Sequence, residues 1–338
     1  MIVGHGDDLW KFERPVRVNF SSNVFSRVDL GPLKKHLAGR LDVISNYPEP
    51  EPYSLEAAIA RQMEIPQDAV CVTAGATEAI YLIAQAWRGS RSAIVQPTFS
   101  EYGDACRLHG HKTESISNFI FCWDTNKYDT VWLCNPNNPT GSVASKQVVD
   151  QIVLRNPETV FIQDKSYGFF TSEPLMNATE ALAAGNVLQL HSMTKRYAMP
   201  GLRLGYIVGN PELLKRVRNM RMPWSVNALA IEAGLWLISH PDTAPIDKAA
   251  LLEEAQRLRD GLNAISGIEV EPTRTHFMLC KIRRDTAANL KQWLMEHHGL
   301  LIRDASNFEG LGPSHFRIAA QTPAENDKLV AAIKEYVQ

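Results

Sequence analysis

The stretch Ser192-Met-Thr-Lys195, with Arg203 eight residues further on, decides how the rest of this sequence is interpreted. It follows Gly185-Asn-Val-Leu-Gln-Leu190, an apolar segment that predicts a buried strand. A lysine in a hydroxyl-rich turn, close to a fixed guanidinium, suits a group that forms a Schiff base with an aldehyde beside a bound phosphate. These two needs together indicate pyridoxal phosphate. From this segment alone, a solvated loop lysine is an equal alternative.

A carboxylate placed at the end of another strand is the second candidate group. The run Thr159-Val-Phe-Ile-Gln163 predicts a strand, and Asp164 stands at its carboxyl end, where open α/β sheets bind their ligands. An aspartate that pairs there with a pyridinium nitrogen keeps the ring protonated and able to accept electrons. Capping of a turn or of a helix start is the alternative role for Asp164.

The Pro- and Asn-rich segment Asn135-Pro-Asn-Asn-Pro-Thr-Gly141 follows a third apolar run, Thr130-Val-Trp-Leu-Cys134. Such strings are turns by default, and this one follows a predicted buried strand. We expect the side chains of Asn138 and Tyr167 to donate hydrogen bonds to the same ring oxygen. Both bonds would stabilise the phenolate form of the ring and so lower the pKa of the Schiff base.

An anion site is predicted where Thr73-Ala-Gly-Ala-Thr-Glu-Ala-Ile80 opens a helix after the short strand Ala69-Val-Cys-Val72. The first backbone N–H groups of a helix have no partners within it, so they are free to bind a phosphate. The N–H groups of Ala76 and Thr77 are the candidates. A plain turn of small residues is the alternative.

In this order, the four segments resemble those of the fold-type I pyridoxal-phosphate enzymes, the class I/II aminotransferase superfamily, over nearly the whole chain. The resemblance implies that Lys195 forms the Schiff base and that Asp164 pairs with the pyridinium nitrogen. It also implies that Phe99 stacks on the ring and that Tyr47 reaches the cofactor phosphate of the other subunit in a homodimer. The residues that it assigns to the cofactor are Gly75, Ala76, Thr77, Phe99, Asn138, Asp164, Tyr167, Ser192, Lys195, Arg203 and Tyr47.

Within this superfamily the chain is most similar to the branch that holds histidinol-phosphate aminotransferase and threonine-phosphate decarboxylase. Segments near both ends favour the decarboxylase, among them Gly4-His-Gly6 and Leu300-Leu-Ile-Arg303. The likeness implies that Arg317 binds the substrate carboxylate with two parallel hydrogen bonds, which lysine does less well. The residues that it places around the phosphate of the substrate are His5, Gly6, Asn23 and Arg303.

Three departures from the pattern of the branch concern the substrate more than the cofactor. Asp7 and Asp8 stand where Gly and Asn are expected, and a carboxylate repels a phosphate. Lys165 replaces the commoner acidic or neutral residue after the ring aspartate. Thr275-His276-Phe277 stands where Ala-Asn-Phe is usual.

We therefore expect an enzyme that acts on a small phosphorylated amino acid, first of all a lyase that decarboxylates L-threonine O-3-phosphate in cobalamin side-chain synthesis. The alternative is an aminotransferase of the histidinol-phosphate type. Which reaction occurs depends on which bond at the substrate Cα stands perpendicular to the ring, and both outcomes share one set of residues. A non-catalytic binding or regulatory protein on the same fold is a third hypothesis, against which the presence of both Lys195 and Asp164 argues.

Composition narrows the choice of partners. The 338 residues are 45% hydrophobic and 21% charged, with a formal net charge of −2. This charge gives no attraction toward nucleic acid or an anionic membrane, and no apolar run is long enough to span one. The five scattered cysteines predict free thiols in a reducing cytoplasm, and the His and Cys residues show no spacing typical of metal ligands.

Strands alternate with helices from about residue 54 to 220, which predicts a mainly parallel sheet with helices on both faces. The resemblance implies fold type I, with a seven-stranded sheet in the large domain. The expected layout is an N-terminal arm (1–30), a large cofactor-binding domain (31–230), a long linking helix (231–266) and a small α+β C-terminal domain (267–338).

Overall fold

The strands of the computed structural model form one large sheet and two smaller ones. The structure describes residues 9, 12, 14–117, 127–243 and 245–338. In that part of the chain the strands are β1 (Val18–Asn19), β2 (Val70–Thr73), β3 (Arg91–Val95), β4 (Lys112–Ile116), β5 (Thr130–Cys134), β6 (Val160–Asp164), β7 (Val187–Ser192), β8 (Gly205–Gly209), β9 (Ile268–Val270), β10 (Phe277–Ile282), β11 (Leu300–Leu301), β12 (Arg303–Asp304) and β13 (His315–Ala319).

The large sheet has seven strands within the described residues, in the order β2-β8-β7-β6-β5-β3-β4. Strands β4, β3, β5, β6 and β7 run parallel, whereas β8 is antiparallel to both of its neighbours. The predicted α/β fold with a mainly parallel sheet is confirmed. Because β5, β6 and β7 share a direction, the residues that follow them meet at one edge of the sheet.

Helices cover both faces of the large sheet. On β5, Trp132 packs into a cluster with Ile80, whereas its neighbour Val131 packs into a different cluster with Ile152. Successive residues of a strand point to opposite faces, so the two clusters lie on either side of the sheet. The helices of the described residues are α1 (Gly31–Ala38), α2 (Tyr53–Met63), α3 (Ala76–Ala86), α4 (Glu101–Leu108), α5 (Lys146–Arg155), α6 (Ala178–Ala184), α7 (Met193–Arg196), α8 (Pro211–Arg218), α9 (Ala228–Ser239), α10 (Lys248–Asn263), α11 (Ala287–His298) and α12 (Pro323–Val337). None of these helices has both the length and the apolar character needed to cross a membrane.

The C-terminal part of the chain forms a separate antiparallel sheet in the order β12-β13-β10-β9. Strand β1 pairs in parallel with β11, where Val18 lies opposite Leu300. The N-terminal segment therefore contacts the C-terminal part, as expected for an arm. The domain boundaries given above stay a prediction.

The segment 231–266, predicted to hold a long linking helix, contains parts of two helices in the structure. Helix α9 ends at Ser239, a 3-10 turn covers Pro241–Thr243, and α10 begins at Lys248. Proline has no backbone N–H, and it disfavours helical geometry in the residue before it. Pro241 and Pro245 therefore interrupt the amphipathic pattern on which the prediction was based.

The turn after β5 contacts the C-terminal part through Gly141, whose φ is +72°. A Cβ atom at this position would lie 2.1 Å from the Thr273 hydroxyl oxygen and 2.5 Å from the Phe277 carbonyl oxygen. The backbone oxygen of Gly141 also accepts a hydrogen bond of 2.9 Å from the N–H of Arg274. Glycine is therefore required here both for its conformation and for the close approach.

We expect Gly141→Ala to destabilise the protein by about 2–4 kcal/mol, because left-handed strain adds to steric overlap. Gly185→Ala is the matched control, since Gly185 has a φ of +79° but open space around its Cα. Its expected loss is about 1 kcal/mol, from the strain alone. Thermal unfolding of both variants measures the difference, and equal losses would show that the overlap at Gly141 relaxes freely.

Candidate active site

The residues that follow β5, β6 and β7 open onto a cavity of about 210 Å³ at the edge of the large sheet. Side chains from the C-terminal sheet close the cavity from the other side. The structure thus brings together residues that are far apart in sequence. The predicted site residues that line the cavity are Ala76, Thr77, Phe99, Asn138, Asp164, Tyr167, Ser192, Lys195, Arg203, Arg303 and Arg317.

Lys195 projects into this cavity from α7, the short helix that follows β7. Its ammonium group donates a hydrogen bond of 2.8 Å to the backbone oxygen of Ser22. Ser22 belongs to the N-terminal segment, so the amine is held between distant parts of the chain. An amine fixed in a cleft in this way is suitably placed to condense with an aldehyde.

Asp164 is the last residue of β6, and only 5% of it is exposed. One carboxylate oxygen accepts a hydrogen bond of 2.8 Å from the Ser166 N–H. The other oxygen accepts a hydrogen bond of 2.6 Å from the Tyr102 hydroxyl. Both carboxylate oxygens of Asp164 therefore accept a hydrogen bond from a described residue, and the group lines the cavity.

Tyr102 was not identified from the sequence, although it lies one helical turn after Phe99. Its ring meets that of Phe99 edge to face, with the ring centroids 5.9 Å apart. It also stacks on Trp132 at 5.7 Å. The available signal was a second aromatic residue three positions after Phe99, in the first turn of α4.

Hydrogen-bond donors and a guanidinium group line one end of the cavity. Helix α3 begins at Ala76, directly after Gly75, which has a φ of +88°. A Cβ atom on Gly75 would lie 2.7 Å from Nη2 of Arg203, so the guanidinium lies against the bare backbone of this turn. The Thr194 hydroxyl is buried in the same cavity and has no hydrogen-bond partner among the described residues. Free N–H groups, a guanidinium and hydroxyls are the donors that a phosphate dianion needs.

Tyr167 is buried and packs edge to face on Phe277, with ring centroids 4.7 Å apart. Burial raises the pKa of its hydroxyl to about 12, although the nearby charge of Arg317 acts in the opposite direction. The hydroxyl therefore stays protonated at neutral pH and is able to donate a hydrogen bond into the cavity.

Arg317 is 4% exposed and lies on β13. Its guanidinium donates to the Asn138 side-chain oxygen and to the Ser21 carbonyl oxygen. The Nε atom is buried and has no hydrogen-bond partner in the described part of the chain. Burial lowers the pKa of Arg317 to about 10, and Arg303 acts in the same direction, so the group stays charged at neutral pH.

Arg303 lies directly opposite Arg317 in the antiparallel pair of β12 and β13. It is 6% exposed, and it donates hydrogen bonds of 2.7 Å to the Asp304 carbonyl oxygen and to the Asn307 side chain. Residues opposite each other share a face of the sheet, and two like charges there repel. The two arginines therefore make the wall of the cavity formed by β12 and β13 strongly positive.

The remaining predicted residues lie elsewhere. Asn23 is fully buried beside the Tyr167 hydroxyl, and Ser21 and Ser22 line the cavity in its place. Tyr47 is 85% exposed and contacts Trp224, with ring centroids 5.3 Å apart. The predicted substrate residues His5 and Gly6 lie outside the described residues.

The sequence profile of the family described as "Aminotransferase class I and II" matches residues 18–333. The chain is similar to threonine-phosphate decarboxylase of Salmonella typhimurium, with 29% identity over 330 residues, covering 94% of this chain and 90% of that protein. It is similar to histidinol-phosphate aminotransferase of Desulfitobacterium hafniense, with 27% identity over 323 residues, covering 90% of this chain and 87% of that protein.

Among solved structures, L-threonine-O-3-phosphate decarboxylase from Porphyromonas gingivalis superposes with a TM-score of 0.92 and 39% identity, over 95% of this chain and 99% of that chain. The histidinol-phosphate aminotransferase from Clostridium acetobutylicum superposes with a TM-score of 0.84 at 24% identity, over 94% of this chain and 98% of that chain. These matches confirm the predicted fold type I. They also identify the protein as an enzyme, so the third hypothesis, a non-catalytic binding or regulatory protein, is rejected. The chain belongs to the class I and II aminotransferase family, whose cofactor is pyridoxal 5'-phosphate, as the sequence predicts.

Proposed function

We propose that this enzyme decarboxylates L-threonine O-3-phosphate, a step of cobalamin side-chain synthesis. The observation that carries the proposal is the placement of Arg303 opposite Arg317, both buried, on one wall of the cavity. Two adjacent guanidinium groups suit a substrate with two anionic groups close together. Threonine phosphate carries a carboxylate and a phosphate on neighbouring carbons. The relatives named as this decarboxylase support the same choice.

The cavity residues have distinct proposed roles toward the cofactor. Lys195 would hold it covalently, and Asp164 would keep its ring nitrogen protonated. Ser192, Arg203 and the N–H groups at the start of α3 would hold its phosphate, while Phe99 would stack on the ring. Asn138 and Tyr167 would contact the ring oxygen. Pyridoxal phosphate, when bound, supplies a conjugated ring that accepts the electron pair released at the substrate Cα.

Orientation of the substrate follows from the two arginines. In the proposal, Arg317 binds the carboxylate and Arg303 binds the phosphate, which fixes both ends of a short molecule. The bond that breaks at Cα is the one perpendicular to the ring, so fixing both ends selects the bond. Lys195 is the cavity amine positioned to take up or return a proton.

Transamination of the histidinol-phosphate type is the second candidate. Several relatives carry that name at 26–29% identity. Histidinol phosphate has a phosphate but no carboxylate, so Arg317 would serve only the 2-oxoacid that accepts the amino group. In this alternative, Arg303 would bind the phosphate in the first half-reaction, and Arg317 would bind the carboxylate of the 2-oxoacid in the second.

Incubation of the holoenzyme with L-threonine O-3-phosphate separates the two candidates. We expect release of CO2 and formation of aminopropanol phosphate in the absence of any 2-oxoacid. Arg303→Gln should raise KM for this substrate by at least about tenfold, because a charged hydrogen bond to the phosphate is lost. Turnover that occurs only after a 2-oxoacid is added would reject the decarboxylase and favour the aminotransferase.

We also propose that the enzyme is a homodimer in which Tyr47 reaches the site of the other subunit. Trp224, which contacts Tyr47, is 49% exposed, and two other large apolar side chains are exposed as well, Ile44 (66%) and Met222 (75%). Exposed apolar side chains of this size are typical of protein interfaces. Sedimentation analysis tests the assembly, and a fully active monomer would contradict it.

The buried free cysteines fit a reducing compartment, so the proposed location is the cytoplasm.

A further inference from the structure

A second cavity of about 190 Å³ lies behind the active site, and three basic residues line it: Lys165, His191 and Arg196. Each of them adjoins in sequence a residue of the first cavity, namely Asp164, Ser192 or Lys195. Ser166 and Ser192 line both cavities, so the two cavities adjoin, whereas the three basic residues line only the second one.

Among the described residues, the cations of this second cavity have no anionic partner in hydrogen-bond or ion-pair contact. The Lys165 ammonium donates a hydrogen bond of 2.5 Å to the Met176 carbonyl oxygen. Arg196 lies 3.4 Å from the centre of the Phe169 ring, and its Nη1 atom is buried without a hydrogen bond to any described residue. In the described ranges no carboxylate forms an ion pair with either group. The carboxylate that attracts Lys165 at longer range, Glu180, is paired with Lys146 at 2.9 Å.

The titration behaviour of the cluster agrees with this geometry. Burial lowers the pKa of Lys165 to about 8, and it lowers the pKa of Arg196 as well. Burial also lowers the pKa of His191 to about 3, so its ring is neutral at pH 7, and its Nε2 atom has no partner among the described residues. Two positive charges and a free ring nitrogen thus face one small space. A half-buried charge without an ionic partner is unfavourable, and a bound anion offsets this cost.

We propose that this second cavity, which shares Ser166 and Ser192 with the first, binds a small oxyanion of the phosphate class through charged side chains that line only the second cavity. Arg196 and Lys165 would supply the charge-assisted hydrogen bonds, and His191 would supply a neutral one. Two cations match the charge of a dianion. The inference rests on the second cavity alone, and it holds whichever reaction the enzyme catalyses.

The test is a calorimetric titration of inorganic phosphate into the holoenzyme of the Arg303→Gln variant, which weakens phosphate binding in the substrate pocket. We expect one phosphate to bind per chain. Adding Arg196→Gln or Lys165→Gln should weaken this binding by at least tenfold. The matched control is Lys248→Gln, because Lys248 lies 5.9 Å from the same Phe169 ring but does not line the cavity, and it should leave the affinity unchanged.

A thermal readout separates binding from a purely structural role. In phosphate-free buffer, Arg196→Gln should unfold at a higher temperature than the parent, since a half-buried charge without an ionic partner is removed. Phosphate should raise the unfolding temperature of the parent by about 2–5 °C and leave this variant unchanged. Three results would overturn the proposal: no phosphate binding, binding that persists in both variants, or acetate that binds as tightly as phosphate. The first would also point to an acidic side chain of a second copy as the occupant.

Discussion

Replacing Lys195 with alanine is expected to abolish the reaction, with kcat lower by at least about 10⁴-fold. Lys195 is the lysine that lines the first cavity, and no described side chain there offers another primary amine. The same change should remove the visible absorption band of the bound cofactor at roughly 410–430 nm, because this band reports the Schiff base to lysine. Stopped assays and absorption spectra of the two proteins measure both effects.

The matched control for this change is Lys215→Ala, since Lys215 is an exposed lysine on α8. It should keep both the activity and the absorption band of the parent. Lys195 also donates a hydrogen bond to the Ser22 carbonyl oxygen, and its loss could affect folding. Circular dichroism is therefore needed to show that the Lys195→Ala protein is folded. A folded Lys195→Ala protein that retains the band would remove Lys195 from its proposed role.

Asp164→Asn is expected to lower kcat by about 10²- to 10³-fold while the absorption band persists. The change removes the buried negative charge that would face the ring nitrogen, and loss of one partner of a buried charged pair costs about 3–5 kcal/mol. The attachment to Lys195 does not depend on this charge. The two variants therefore give different combinations of activity and spectrum, which steady-state assays and absorption spectra record.

Tyr102→Phe separates the charge of Asp164 from its hydrogen bonding. This variant removes the 2.6 Å hydrogen bond from the Tyr102 hydroxyl but keeps the carboxylate. We expect a loss of about tenfold, because one hydrogen bond to a charged group contributes about 1.5–3 kcal/mol and water replaces part of it. Equal losses in the two variants would mean that Asp164 acts through its position and not through its charge.

The large sheet could be predicted closely wherever a strand is buried on both faces. The predicted strand 130–134 coincides with β5, all of whose residues are buried. Strand β4 was missed because its sequence, Lys112-Thr-Glu-Ser-Ile116, lies at the sheet edge with four of five residues exposed. Such a strand carries no apolar pattern, and its pairing with β3 provides most of the reason for its conformation.

Candidate residues on the large sheet could be found because each one follows a recognisable buried strand. Contacts between residues far apart in the chain could not be predicted, since the sequence around each residue does not specify its distant partner. Arg317 and Asn138 are 179 residues apart, and their hydrogen bond exists only because β13 packs over the turn after β5. The placement of Arg303 opposite Arg317 depends in the same way on the pairing of β12 with β13.

The second cavity could not be predicted from the sequence either. The sequence marks Lys165 as a departure from the pattern of its branch, but it does not show that His191 and Arg196 share its surroundings. His191 lies in β7, Lys165 directly follows β6 and Arg196 lies in α7, so only the folded sheet brings the three residues around one cavity. The departure gains a physical interpretation only once the sheet is assembled.

Borohydride reduction of the holoenzyme, followed by peptide mapping with mass spectrometry, tests the central claim most directly. Reduction makes the link between the cofactor and its lysine permanent, so the modified residue is identified by mass. We predict that the pyridoxyl group is found on the peptide that contains Lys195, at one group per chain. Labelling of Lys165, the half-buried lysine of the neighbouring cavity with a pKa of about 8, or no labelling at all, would contradict the account.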